Sequence, residues 1–159
     1  MPAISISARL SRTRGFDAKL REQIALTVAE SNQCSYCLSA HTFVGRKIGL
    51  SEQDIADARH ANAAGERADA MLKLARSIAV RRGEISGEEL DLARAAGLSE
   101  GDVIETVANV ALNIFSNYVN HIAGTVVDFP EVKPGNGYVV APVGGCAFDT
   151  QLSQHLTLT

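Results

Sequence analysis

The sequence lacks several features that would define a class of protein at once. It has no tryptophan, three cysteines among 159 residues and a net charge of −3. Three cysteines do not make the disulfide framework of a small secreted domain, so the thiols are expected in a reducing, cytoplasmic setting. The basic residues form no concentrated face of the kind that neutralises phosphate. We therefore expect no nucleic-acid partner.

Long hydrophobic runs are also missing. No window approaches the roughly 20 apolar residues of a membrane span, and residues 1–10 hold no apolar run behind a basic start that would mark a secretory leader. We expect no membrane contact. With 46% hydrophobic and 21% charged residues, the chain can still bury a substantial core. The composition predicts a single domain over residues 1–159.

Apolar residues recur at helical spacing between residues 17 and 124, and capping patterns and glycines mark the breaks. Asp17 is the expected N-cap of the first helix, and Gly49 is expected to end the second. After Gly124, prolines and glycines leave little room for a helix, and we expect no more than a short strand at residues 138–140. The pattern predicts an all-α fold with a helical core at about 17–124 and an irregular tail at 125–159.

The richest stretch of the sequence gathers two thiols, an imidazole and an acid. Cys34 and Cys37 form a CxxC motif, and His41 follows the second cysteine by four residues. This spacing places the three side chains on one face of a helix that begins near Cys34. Its first N–H groups favour a thiolate but lower a thiol pKa by only about one unit. His41 is expected to complete the activation, with Glu22 on the preceding helix orienting it.

The same spacing permits a reversible disulfide. Residues i and i+3 of a helix lie about 5 Å apart at Cα, inside the roughly 4.4 to 6.8 Å that a disulfide accepts. A peroxide attacked by one thiolate would give a sulfenic acid, which the second thiol would resolve to a disulfide. An external dithiol would then have to reduce the pair.

Two other interpretations of the cysteines stay open. In the first, Cys34, Cys37 and His41 bind a structural zinc ion, with Glu22 or Cys146 as the fourth ligand. In the second, the cysteines are buried, inert packing residues of a helical oligomer without enzymatic activity. A separate polar stripe on the last predicted helix lines either the thiol pocket, a subunit seam or a hydrated face; its members are Asn109, Asn113, Asn117 and His121.

The order of these residues resembles a known family signature. Glu22, eleven residues, the CxxC motif, three residues and His41, with Gly49 ending the helix, resemble the AhpD-like alkylhydroperoxidases of the carboxymuconolactone decarboxylase superfamily. The resemblance is best over residues 20–50 and extends more loosely to Gly124. It implies an AhpD-like helical bundle that assembles as a trimer or hexamer and has peroxidase or disulfide-reductase activity.

The resemblance also implies a role for each residue. Cys37 would be the thiolate that meets a hydroperoxide, and Cys34 the partner that closes the disulfide. Glu22 and His41 would form the proton relay, an external dithiol would be the reductant, and no cofactor or metal is expected. The best-studied members carry a histidine where this chain has Tyr36. A phenol with a pKa near 10 is a poor base at neutral pH, so Tyr36 is expected to donate a hydrogen bond without replacing that imidazole.

Overall fold

The computed structural model describes residues 16–135, and six α-helices account for most of this range. In chain order they are α1 (Ala18–Ser31), α2 (Ser35–Lys47), α3 (Glu52–Arg59), α4 (Glu66–Arg81), α5 (Gly87–Ala95) and α6 (Glu100–Ala123). The predicted all-α fold is confirmed. Among these helices, none combines the length and the apolar character that crossing a bilayer requires. The strand expected at residues 138–140 lies outside the described residues.

The helices begin where the sequence places their caps. The Asp17 side chain accepts a hydrogen bond from the N–H of Leu20 at 2.8 Å and caps α1. Helices α3, α5 and α6 each begin with a complete capping box, in which a serine and an acid three residues later satisfy each other's backbone N–H groups. These pairs are Ser51 with Asp54, Ser86 with Glu89, and Ser99 with Asp102.

Two helix corners share one construction, 48 residues apart in the sequence. In each, a glycine with positive φ follows the first helix, a buried leucine comes next and a serine caps the second helix; these are Gly49, Leu50 and Ser51, and Gly97, Leu98 and Ser99. An ion pair also spans each corner, Arg46 with Glu52 and Arg94 with Glu100. The same local rules therefore turn the chain twice.

Helix α1 lies at the centre of the bundle. Its residues 23–30 are all buried, and it packs against α2, α3, α4 and α6. A helix that is covered on every side carries its apolar residues around the whole circumference, as Ile24, Leu26 and Val28 do. The buried hydroxyl of Thr27 donates to the carbonyl of Ala58 at 2.6 Å and fixes α1 to the end of α3.

Residues 125–135, which we call the return segment, run back across α2 without helical structure. The Phe129 ring meets the rings of Tyr36 and Phe43, with centroids 5.8 Å and 5.5 Å away. The N–H of Val132 donates to the Ser39 hydroxyl at 2.8 Å. This part of the tail is irregular, as predicted, but it is packed onto the helix that carries the cysteines.

An ion pair holds the end of the return segment. Arg59 pairs with the largely buried Glu30 at 2.7 Å and also donates to the carbonyl of Lys133 at 2.9 Å. The second carboxylate oxygen of Glu30 accepts from the N–H of Gly135 at 2.5 Å. Charged groups of α1 and α3 therefore satisfy the backbone of a segment that has no secondary structure of its own.

We expect Leu38→Ala to lower the free energy of unfolding by about 2 to 5 kcal/mol, because Leu38 is 0% exposed on α2. Leu92→Ala on α5 is the matched control, since Leu92 is 65% exposed, and it should change stability by at most about 0.5 kcal/mol. Urea unfolding followed by far-ultraviolet circular dichroism measures both. Equal losses would contradict the burial that the fold assigns.

Candidate active site

The turn between α1 and α2 sets the position of the two thiols. Gln33 has a φ of 56°, in the left-handed region, and turns the chain sharply out of α1. Cys34 is then the N-cap of α2, and its Sγ accepts the N–H of Cys37 at 3.4 Å. The CxxC motif opens the second helix, as the sequence predicts. Both sulfurs are free thiols, and the two residues are only 2% and 3% exposed.

The predicted acid and base are in direct contact. His41 Nδ1 lies 2.7 Å from Glu22 Oε2, and the two side chains are 16% and 18% exposed. Because the carboxylate accepts, Nδ1 carries the proton, and Nε2 is left as the nitrogen that can exchange one. Within residues 16–135, no hydrogen bond joins His41 directly to a sulfur. It stands one helical turn beyond Cys37 on the same face of α2.

The two thiols differ in acidity. The hydrogen bond with Cys34 lowers the pKa of Cys37 to about 6; burial opposes the shift, and the amides of Asn120 and Asn117 and the charge of His41 add to it. The same hydrogen bond, together with burial, raises the pKa of Cys34 well above its ordinary value. The pair therefore shares one negative charge near neutral pH, and that charge lies on Cys37.

The imidazole is arranged to carry a positive charge. Burial disfavours the imidazolium, but the hydrogen bond with Glu22, the negative charge of Glu22 and that of Cys37 outweigh it and raise the pKa of His41. Burial, helped by the charges of Asp128 and Cys37, raises the pKa of Tyr36. Tyr36 therefore stays a neutral phenol, whereas His41 is favoured in its protonated form.

Helix α6 contributes contacts to the thiols that the CxxC motif does not predict. Asn120 Nδ2 lies 3.3 Å from the Sγ of Cys37, and the carbonyl oxygen of Asn117 lies 4.0 Å from the Sγ of Cys34. His121 donates through Nε2 to the carbonyl of Asn32 at 3.1 Å. The C-terminal half of helix α6 therefore closes the thiol site against the α1–α2 turn.

The polar stripe predicted on α6 is only partly associated with the thiols. Asn117 and His121 lie beside them, whereas the amides of Asn109 and Asn113 donate to carbonyls within α6 itself. Asn120 falls outside the four-residue spacing of the stripe. Asn120 lies three residues beyond Asn117, and residues three apart also share a face of a helix. This spacing could have identified Asn120 from the sequence.

A small surface pocket opens beside the thiols. It has a volume of about 210 Å³. Its walls include Cys34, Tyr36, Asn120, His121 and Thr125. Cys37 is not among the lining residues, but Asn120 lines the pocket and also contacts its sulfur. A molecule in this pocket would meet Cys34 directly.

No group of three or more His, Cys, Asp or Glu side chains is arranged as metal ligands in the part of the chain that the structure describes. Zinc bound by Cys34, Cys37 and His41, with Glu22 as the fourth ligand, is therefore not supported by the geometry. Cys146, the other candidate for the fourth ligand, lies outside the described residues.

The fold and the site together define an all-helical protein with a buried dithiol beside a glutamate–histidine pair. The family model described as "Carboxymuconolactone decarboxylase family" matches residues 7–79, a stretch that contains all four candidate site residues. No curated protein matches the sequence. The family match confirms the resemblance to the carboxymuconolactone decarboxylase superfamily, and the two solved structures described next have a similar fold.

One similar structure is a protein of unknown function from Agrobacterium tumefaciens that is provisionally described as the antioxidant defence protein AhpD. It is 18% identical, with a TM-score of 0.65 over 73% of this chain and 82% of that one, and it shows the fold. Another is an uncharacterised peroxidase-related protein from Silicibacter sp. TM1040, 25% identical, with a TM-score of 0.58. That match covers 76% of this chain and 62% of the other protein.

We expect the ultraviolet absorbance of thiolate in the reduced protein to rise in a step with a midpoint near pH 6, because the pKa of Cys37 is lowered to about 6. The step should be missing from Cys37→Ser. In Cys34→Ala it should move to higher pH, since the hydrogen bond from Cys34 is lost. Cys146→Ser is the control and should keep the step. A Cys37→Ser protein that still shows it would contradict the assignment of the charge.

Proposed function

We propose that this protein is a thiol-dependent peroxidase that reduces hydroperoxides through the Cys34–Cys37 couple. Glu22 and His41 form its proton relay, and an external dithiol restores the reduced state. The observation that supports this most is the difference in acidity between the two thiols. The pKa of Cys37 is lowered to about 6, whereas the pKa of the neighbouring Cys34 is raised. A nucleophilic thiolate next to a protonated resolving thiol is what peroxide reduction needs.

In the first step, the Cys37 thiolate attacks the terminal oxygen of ROOH. An S–O bond forms as the O–O bond breaks, so the sulfur is oxidised to a sulfenic acid and the peroxide is reduced. The alkoxide leaves with the bonding electrons and takes a proton from the imidazolium of His41, which gives ROH. Glu22 holds the ring through Nδ1 at 2.7 Å, so Nε2 is the nitrogen that delivers this proton.

In the second step, the sulfur of Cys34 attacks the sulfenic sulfur of Cys37. The S–S bond forms as the S–O bond breaks, and the departing hydroxide combines with the Cys34 proton to give water. The sum is one ROOH and two thiols converted to ROH, water and a disulfide. An external dithiol then reduces the pair by two exchanges and becomes a disulfide itself.

The names of two similar proteins agree with the proposal. The Agrobacterium protein bears a provisional description as an antioxidant defence protein, and the Silicibacter protein is named peroxidase-related. The first likeness, at 18% identity, is one of fold alone. The contacts and charges of this chain's own thiol site therefore carry the proposal.

We further propose that residues 1–159 form one AhpD-like domain that works in the cytoplasm as a homo-oligomer of three or six subunits. Large apolar side chains on the outer face of α6 support a subunit contact, because such a patch is seldom left in water. They are Ile104, Val107, Phe115, Tyr118 and Ile122. We include no nucleic-acid partner in this proposal, in line with the net charge of −3.

One equivalent of peroxide should remove two hydrogens from the protein, and mass spectrometry of its peptides should locate the new disulfide between Cys34 and Cys37. Cys37→Ser should consume no peroxide. Cys34→Ser should stop at a sulfenic acid on Cys37 that dimedone traps. Cys146→Ser is the control and should behave as the wild type does. Stoichiometric zinc without a Cys34–Cys37 disulfide would overturn the proposal in favour of a metal site.

His41→Ala should slow peroxide consumption by about 10²-fold, since general acid catalysis contributes at least that much. Glu22→Gln should give a smaller loss, because the imidazole keeps a partner but its charge is less favoured. His60→Ala is the matched control, as this exposed histidine ends α3 and should leave the rate unchanged. Stopped-flow measurement of peroxide disappearance compares them, and equal rates for the variants at residues 41 and 60 would remove His41 from the relay.

A further inference from the structure

Two asparagines of α6 face the thiol pair. Asn117 and Asn120 are three residues apart, so their side chains leave the helix on the same face. Asn120 Nδ2 lies 3.3 Å from the Sγ of Cys37, and Asn117 is 0% exposed. An amide presents either an oxygen or an NH2 group to a neighbour, and only the NH2 group stabilises an anion.

The direction of the Asn120 amide is fixed from outside α6. The hydroxyl of Thr125, the first residue after the C-cap glycine, donates to Oδ1 of Asn120 at 2.9 Å. With its oxygen held there, the amide turns its NH2 group toward Cys37. A thiolate has lone pairs and no proton, so this is the orientation that it requires.

The Asn117 amide is fixed in the same way. Its Oδ1 accepts from Nδ2 of Asn32 at 2.9 Å. Its own Nδ2 is buried and has no hydrogen-bond partner within residues 16–135. A buried N–H without a partner is costly. Asn117 lies beside the thiol pair, since its carbonyl oxygen is 4.0 Å from the Sγ of Cys34, and it also lowers the pKa of Cys37.

We propose that Asn117 and Asn120 form an amide pair that stabilises the negative charge on Cys37. Asn32 and Thr125 are positioning residues, because each donates to one amide oxygen and so fixes the direction in which the NH2 group of that amide points. The inference rests on the proposed function, in which Cys37 reacts as a thiolate.

Other groups around the sulfur also affect its ionisation. Cys34 is the N-cap of α2 and His41 lies on that helix, Glu22 reaches His41 from α1, and Tyr36 on α2 is neutral. Neither asparagine titrates, so their contribution is a constant stabilisation that should appear as a shift in the midpoint of Cys37 and in no new titration.

The test is nuclear magnetic resonance of the reduced full-length protein labelled with ¹³Cβ-cysteine, in which each Cβ signal follows the ionisation of its own thiol. Serine variants at residues 34 and 146 assign the signals. We expect Asn120→Ala to raise the midpoint of Cys37 by about one pH unit, the size of one lost hydrogen bond to a charged group. Asn117→Ala should also raise it. Asn109→Ala is the matched control and should not, since that amide donates within α6.

The positioning role has its own variants. Thr125→Val keeps the shape and removes the donor, so it should raise the midpoint by less than Asn120→Ala does. Thr125→Ser keeps the hydroxyl and should restore the wild-type midpoint. A purely structural Thr125 would change the unfolding curve of both variants and leave the titration unmoved, which would overturn its positioning role.

The outcomes separate this inference from the proposed function. A wild-type Cys37 that titrates near pH 6, with no shift in Asn120→Ala, would overturn the amide pair while the peroxidase proposal stands. If Asn117→Ala fails to fold, Asn120→Ala still decides, because Asn120 is only partly buried. A wild-type midpoint near the ordinary thiol value of about 8.5 would overturn both.

Discussion

The buried charge on Cys37 is the feature on which the rest of the site depends. A charge removed from water is costly unless donors and an opposite charge replace the lost solvation. Here the compensation comes from separate elements: Cys34 at the start of α2, the His41–Glu22 pair that joins α2 to α1, and the amides of α6. The central position of α1 brings these elements together. The bundle is therefore part of the chemistry, because no single helix could hold the thiolate.

Local signals made much of the fold predictable. Asp17 and the serine–acid pairs such as Ser51 with Asp54 each satisfy the backbone within three residues, so the sequence alone contains both partners. The Glu22–His41 contact was also within reach, because helical spacing restricts where each side chain can point and the two helices are joined by a tight turn. The roles assigned to the four site residues stay predictions, since proximity does not establish reactivity.

Contacts between distant segments could not be predicted in the same way. Asn120 meets Cys37 across 83 residues, and Asn32 meets Asn117 across 85. The asparagines of α6 predicted a polar stripe with a spacing of four residues. This stripe includes Asn117 but not Asn120. The path of the return segment depends on Glu30 and Arg59, which are far apart in sequence and become partners only after α1 and α3 have packed.

Tyr36 shows how one position can lose one role and gain another. Burial and the charges of Asp128 and Cys37 raise its pKa, so it stays neutral and cannot act as the base that the best-studied relatives place there. Its ring instead packs edge-on against Phe129 of the return segment. The same segment contains Thr125, whose hydroxyl orients the Asn120 amide. The contact between Tyr36 and Phe129 therefore anchors the return segment four residues from Thr125, whose hydroxyl orients the Asn120 amide. Through this segment, Tyr36 contributes indirectly to the stabilisation of the Cys37 thiolate.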